Sequence, residues 1–384
     1  MHEVKFKDFV SLQRGFDLPK RERKAGEYPV VASSSIHGSH NEYKVEPPGV
    51  VTGRSGSLGG AIYLNRPFWP LNTTLWVTDF KGNHPKYVYY VLQTLDLERY
   101  GSGASVPTLN RNHLDNLLLN IHNPDQQRRI AEVLSAYDDL IENNQRRIEL
   151  LEEMAQAVYR EWFVEMHFPD HENATMRETE ALGPVPEGWE VVRLSDLAES
   201  PRNRVKPQEE VEPDVPYFGL GDLPKKSIAL SEWGRAEDAG STKYTFNRGD
   251  ILFGKIRPYF HKVGPAPVAG ICSTDAIVIR PFEPVHFGIV LGCVSSEEFV
   301  AHATQTSSGT KMPRAKWKIL KDYPVAVPPA PLLEKFDDTM RAFVNQIHTL
   351  IHKNRTLRHT RDFLLPRLVS GEIDVEQSRT IAIA

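Results

Sequence analysis

Two stretches of this chain gather cations closely enough to hold a polyanion. Lys243, Arg248, Lys255, Arg257 and Lys262 stand against a single acid, Asp250, and Lys311, Arg314, Lys316, Lys318 and Lys321 follow one another with no acid between them. Arginine can fork onto the edge of guanine and lysine can meet phosphate, so such stretches point to nucleic acid. Read as a continuing strand, alternate residues Lys255, Arg257 and Tyr259 would emerge on one side; a solvated surface strand is the alternative. About 200 residues earlier, Gly53-Arg54-Ser55-Gly56-Ser57 occupies the corresponding place. Its glycines would let backbone amides approach a phosphate, or would simply make a tight turn. Polar and basic residues follow the last glycine-containing loop of each half: Ser102, Ser105, Thr108, Asn110 and Arg111 in the first, Lys311, Arg314 and Lys316 in the second. Matched placement gives these two loops a shared role. The candidate contacts to DNA are therefore Arg54, Ser55, Ser102, Ser105, Thr108, Asn110, Arg111, Lys255, Arg257, Tyr259, Lys311, Arg314 and Lys316.

Other chemistries fit less well. Gly249-Asp250-Ile251-Leu252-Phe253-Gly254-Lys255-Ile256 approximates a phosphate-binding loop but lacks the Ser or Thr that would hold magnesium, and its interior is strand-like. Pro47-Pro48 is followed by Gly49 and Pro328-Pro329 by Ala330, so neither makes the Asn/Asp-Pro-Pro-aromatic motif of adenine methylation. Asp8 with Glu22-Arg23-Lys24 mimics a metal-dependent nuclease core only at chance level. His348 and His352 sit one helical turn apart without a third ligand or a catalytic Glu, which suits a helix surface better than zinc. No catalytic, cofactor or metal residue is assigned to this chain.

With 384 residues, 40% hydrophobic and 25% charged, the chain has room for two domains and the composition of a globular protein. A formal charge of -4 excludes a uniformly basic DNA binder, so placement of charge decides. Glu149, Glu152, Glu153, Glu161, Glu165, Asp170 and Glu172 make the middle of the chain acidic, implying domains that touch DNA and helices that face protein. The chain has no run of about 18 apolar residues, and Met1-His2-Glu3-Val4-Lys5 lacks the apolar core of a secretion signal. Cys272 and Cys293 form no disulfide framework or zinc knuckle, and a reducing cytoplasm is the expected location.

Positioning these residues requires elements, and the elements come twice. Val4 to Phe9, Gly49-Val50-Val51, Asn72-Thr73, Gly103 with Pro107, and Pro124 match Val192 to Leu197, Gly249 to Leu252, Ser273-Thr274, Gly309 with Pro313, and Pro331. The offsets are 188, 200, 201, 206 and 207, so order is kept while insertions accumulate. Strands are expected at 50–52, 61–64, 75–77, 250–253 and 276–279, with helices over 86–97 and 289–303. Between the copies, 168–181 reads as loose polar chain and 183–188 as a rigid turn. Each copy ends in a long helix. Ile130, Leu134, Tyr137, Ile141, Asn144, Ile148, Leu151, Ala155, Val158 and Trp162 repeat at steps of 4 and 3, as do Phe336, Met340, Phe343, Ile347, Leu350, Asn354, Leu357, Arg361, Leu364 and Leu368. Pro366 and Gly371 predict that the second helix stops near Leu365. If the two helices pack antiparallel, Asn144 and Asn354, near the two helix middles, come within a turn of each other and fix register, and with it the separation of the domains.

Three stretches strongly resemble the specificity subunit of Type I restriction-modification systems. Pro124 to Leu134 is similar to the start of that family's first spacer helix. Glu161-Trp162-Phe163-Val164 with Pro184 to Trp189 resembles its exit, and Leu364 to Ile373 the end of its second helix. Pro331-Leu332-Leu333-Glu334-Lys335-Phe336 departs from the family's Glu-Gln-Arg-Ile-Ala run. The resemblance implies an α+β chain of two tandem mixed α/β target recognition domains, separated by two long helices that form an antiparallel coiled coil in a pseudo-two-fold internal repeat. The corresponding segments are a first recognition domain at 1–122, first spacer helix 123–166, linker 167–188, second recognition domain 189–328, second spacer helix 329–370 and C-terminal tail 371–384. It further implies a split double-stranded DNA target, two methyltransferase subunits and two restriction/translocase subunits. The chemistry would lie in those partners, with S-adenosylmethionine, ATP and magnesium. A nuclease or nucleotide-dependent DNA enzyme with a coiled-coil dimer interface is the alternative reading.

Overall fold

The computed structural model describes residues 1–56, 58–102 and 107–375, with the backbone alone at Ser102. It divides into two compact units, Met1–Ile141 with the chain from Thr356 onward, and Glu142–Arg355. Each unit takes half of both long helices.

In the first unit, His2–Lys5 pairs antiparallel with Leu118–Ile121, His2 opposite Ile121. The main sheet places Ser11–Arg14, Thr74–Asp79, Gly49–Gly53 and Gly59–Leu64 side by side in that order. Alternation along Gly49–Gly53 sends Val50 toward one apolar cluster and Val51 toward another with Val31, Val45 and Phe68. Pro85, whose missing amide costs nothing at a helix start, opens the helix Pro85–Thr94. Its Tyr87, Val88 and Val91 share a core with Leu75, Ile130, Leu134, Leu364 and Leu368.

The second unit repeats this plan. Glu190–Arg193 pairs with Pro324–Val327, and Ala198–Glu199, Ala276–Pro281, Ile251–Gly254 and Val263–Pro265 reproduce the four-stranded order. A parallel strand pair recurs as well: Tyr28–Ala32 beside Trp69–Pro70, and Pro216–Phe218 beside Gly270–Ser273. The helix expected over 289–303 is two helices, Phe287–Val294 and Glu297–Gln305. Ser296 breaks them, its side chain accepting from the Phe299 amide as an N-cap at 3.1 Å. Nor is 168–181 loose: Met176–Thr179 forms a hairpin with Gly183–Pro186, anchored by Phe168 against Trp189 with ring centroids 5.0 Å apart.

The long helices are Pro124–Tyr159, prolonged by a wider turn over Arg160–Val164, and Ala330–Ser370. Pro366 does not stop the second. Proline inside a helix costs about 3 kcal/mol, but Leu364, Leu365, Leu368 and Val369 are all buried around it. Each such side chain contributes about 1.5–3 kcal/mol, which outweighs the loss. Within both units the helix halves run antiparallel. In the first, the Arg361 guanidinium meets Asp138 at 2.7 Å, and Tyr90 Oη donates to the same carboxylate at 2.6 Å. In the second, Phe163 packs edge-on against Phe336 with centroids 4.7 Å apart.

Asn144 Nδ2 donates to Asn354 Oδ1 at 2.9 Å, and both residues are buried. The expected amide pair is thus present inside the second unit. Asn144→Leu takes away the donor Asn354 accepts from and should destabilise by about 1–3 kcal/mol, while Asn144→Leu with Asn354→Leu should recover most of that loss. A denaturant double-mutant cycle measures the difference; additive losses would show that the pair is not coupled.

The buried face is wider than a seam. Ala131, Leu333, Val344, His348 and Ile351 are also covered, because each helix half is part of a domain core. Glu152, counted in sequence among protein-facing acids, turns inward: one carboxylate oxygen accepts from Ser227 Oγ at 2.6 Å and from the amides of Ile228 and Ala229 at 2.6 and 2.8 Å. His348 and His352 likewise face the domain, toward the carbonyls of Pro265 and Pro267.

Candidate nucleic-acid interface

Each unit carries a cleft where the end of a central strand meets the loop before the closing strand. In the first, Gly49–Gly53 ends at Arg54, whose carbonyl accepts from the Leu109 amide at 2.8 Å, while Ser55 bridges Thr108. In the second, Ile251–Gly254 ends at Lys255, whose carbonyl accepts from the Ala315 amide at 2.8 Å, while Ile256 bridges Arg314. The backbone scheme is the same, at offsets of 201 and 206 residues. Even the cation at the strand end behaves alike. Arg54 Nη1 donates to the Asn72 carbonyl at 3.1 Å, and Lys255 Nζ donates to the Thr274 carbonyl.

Arg54, Thr108, Asn110 and Arg111 line the first cleft, with Gln13, Arg14 and Asp17. Arg111 Nη1 is tied to the Leu12 carbonyl at 2.9 Å. Lys255, Arg314 and Lys316 line the second, with Arg202, Tyr244 and Trp317. Ser105 and the Ser102 side chain lie outside the described residues. Arg14 and Arg202 were missed in sequence; their shared offset of 188 from one another, the same as Val4 to Val192, was the available signal. Gly15 beside Arg14 has no room for a side chain, since a Cβ would stand 2.2 Å from the Leu71 carbonyl oxygen.

The strand imagined through Lys255, Arg257 and Tyr259 does not exist. It ends at Gly254, Arg257 is left-handed (φ 51°), and Pro258–Phe260 is a 3-10 turn. Proline cannot donate to a ladder, so the chain turns instead of alternating. Arg257 and Tyr259 consequently stand apart from the cleft of Lys255: the Arg257 amide donates to the Pro313 carbonyl at 2.7 Å, its guanidinium reaches the Lys311 carbonyl at 3.4 Å, and Tyr259 is exposed.

The cation count of 243–262 also overstates the available surface. Lys243 is buried, its ammonium donating to the Ser241 carbonyl and hydroxyl at 2.7 and 2.9 Å. Lys262 donates to the Leu220 carbonyl at 2.6 Å. Burial lowers the pKa of both ammonium groups. The loop at Gly249 is filled by its own carboxylate. Asp250 accepts two hydrogen bonds from Arg280, at 2.8 and 2.6 Å, and one from the Asn247 amide at 2.7 Å, so it forms no phosphate cradle. Both thiols are buried, which pushes Cys272 and Cys293 up to about 12 and keeps them unreactive. One grouping had no sequence signal: Glu161, Glu165 and His167 converge at the exit of the first long helix. All three are exposed, and Arg160 already pairs with Glu165 at 3.6 Å.

The family described as Type I restriction modification DNA specificity domain matches residues 1–153 and 186–357, the two copies in turn. The chain belongs to this family. As a specificity subunit it serves DNA recognition within a Type I restriction-modification complex and is not itself catalytic. The Type I restriction enzyme MjaIX specificity subunit of Methanocaldococcus jannaschii is 25% identical over 306 residues, spanning 76% of this chain and 70% of the relative. The EcoDI specificity subunit of Escherichia coli is 23% identical over 328 residues, spanning 80% and 72%. The crystal structure of the S subunit from M. genitalium has the same fold, with a TM-score of 0.64 at 15% identity over 96% of both chains. Family membership sets aside the nuclease reading, and the Asn144–Asn354 pair forms within one chain. Among the described residues no helix is long and apolar enough to cross a membrane.

Proposed function

We propose that this specificity subunit reads a bipartite double-stranded DNA site, one half with each recognition domain, and scaffolds two methyltransferase subunits and two restriction/translocase subunits in the cytoplasm. The observation that carries this reading is the pair of equivalent clefts, built on the same backbone bonds but lined by different side chains. A duplicated frame with diverged linings suits two half-sites of unlike sequence. The recognition domains are 1–122 and 189–328, joined by spacer helices at 123–166 and 329–370, with a linker at 167–188 and a tail at 371–384. The DNA-contacting set is Arg54, Ser55, Ser102, Ser105, Thr108, Asn110 and Arg111 in the first domain, and Lys255, Arg314 and Lys316 in the second, with Arg257, Tyr259 and Lys311 contacting DNA from outside the second cleft. S-adenosylmethionine, ATP and magnesium act in the partner subunits.

Selection from a random duplex library, using the chain assembled with its methyltransferase subunits, tests the reading. Retained molecules should share two short motifs at a fixed spacing. A single continuous motif, or none, would overturn it.

A further inference from the structure

The two clefts differ in most side chains, and in most cations, but share a cation at two matched positions. Arg14, at the end of the strand Ser11–Arg14, corresponds at an offset of 188 to Arg202, just beyond Ala198–Glu199. Arg54 corresponds to Lys255 through their matching backbone bonds. Elsewhere the linings part: Asn110 stands where the second cleft has Lys316, and Arg111 where it has Trp317. Two halves of a split target differ in their bases and share only their sugar-phosphate backbone. What both copies retain should therefore face what both half-sites have in common.

We propose that Arg14 with Arg54, and Arg202 with Lys255, form a phosphodiester clamp in each cleft that contributes affinity and orientation without base selectivity. The proposal rests on the reading that each unit holds one half-site. Base discrimination then falls to positions where the clefts differ, such as Arg111 against Trp317.

The surroundings suit a clamp. Arg14 and Arg202 are exposed at the cleft, and Arg202 makes no hydrogen bond or ion pair among the described residues. Arg54 and Lys255 each spend donors on a turn carbonyl and keep others free, since guanidinium carries five N–H groups and ammonium three. One carboxylate attends each cleft. Asp17 lies 3.5 Å from Arg14, and Asp275 lies 3.6 Å from Lys255 and 3.9 Å from Arg314. Of the clamp cations these long pairs engage Arg14 and Lys255, and solvent screening makes them easy to exchange for phosphate.

The test uses Arg14→Gln and Arg202→Gln, with Arg14→Lys and Arg202→Lys as charge-preserving controls, in the full chain assembled with its methyltransferase subunits. Binding to the cognate duplex and to an unrelated duplex is followed by fluorescence anisotropy between about 50 and about 200 mM salt, and methylated sites are sequenced. Each Gln variant should reduce the slope of log affinity against log salt by about 1. It should weaken both duplexes by the same factor and leave the methylated motif unchanged, and each Lys variant should restore the slope. An unchanged slope, or a base position relaxing in one half of the motif, would overturn the clamp. Failure of the unmutated complex to show a split motif would count against the underlying reading instead, so the two failures are separable.

Discussion

Exchanging residues 189–328 for the corresponding segment of another specificity subunit should replace one half of the methylated motif and leave the other half as it was. The segment is suited to transplantation because its ends meet. Glu190 pairs with Val327 and Arg193 with Pro324, so the chain enters and leaves on adjacent antiparallel strands. The difficulty is the core, where Leu194, Ile251, Phe253, Ile289 and Leu291 share one cluster with Ile148, Ala155, Met340 and Ile347 of the helices. A large-to-small mismatch there costs about 2–5 kcal/mol per side chain. The donor segment must therefore match this face in volume, and a failed graft shows itself as loss of all methylation. With a folded graft, sequencing of methylated sites decides: two altered halves, or none, would be incompatible with modular readout.

Acid should weaken the second unit through His348. This side chain is 4% exposed, and its Nε2 donates to the Pro265 carbonyl at 3.2 Å, joining the second long helix to the recognition domain. Burial lowers its pKa from 6.5 to about 4. In the unfolded chain the imidazole takes up a proton as pH falls through about 6.5, whereas the folded one resists until about 4. Unfolding therefore binds a proton in that window, and the contribution of neutral, buried His348 is fully present above pH 6.5 and lost on the way down to about 4. The full loss is about 3 kcal/mol. His348→Gln keeps a donor for Pro265 without the titration, so the difference in stability between pH 7 and pH 4.5 should shrink in the variant. Carboxylates contribute to both proteins alike. Equal pH dependence in urea unfolding would rule His348 out.

What could be read in the sequence followed from periodicity and repetition. The steps of 4 and 3 located both long helices and singled out Asn144 and Asn354 as the polar interruptions; the antiparallel order that pairs them was implied by the family resemblance. Matched glycine-containing loops pointed to Arg54, Thr108, Asn110 and Arg111 and to Lys255, Arg314 and Lys316, which the fold gathers into two clefts. Direction of side chains was not legible. Lys243, Lys262 and Glu152 read as surface charge in the sequence, but their hydrogen bonds turn them inward. Alternation was assumed past Gly254, where Arg257 takes a left-handed conformation and Pro258 ends the strand geometry. Pro366 misled for the opposite reason: a strong local signal yields when four buried neighbours oppose it.

The bond from Leu109 to the Arg54 carbonyl, and its counterpart from Ala315 to Lys255, bear on how such a protein changes its target over generations. Both are main-chain bonds, available whatever side chain occupies the position. Exposed residues such as Arg202, Arg314 and Lys316 can be replaced at a stability cost usually within about 0.5 kcal/mol. A lineage could thus drift from one recognised sequence to another through intermediates that all fold, with the two halves of the target free to evolve on separate schedules.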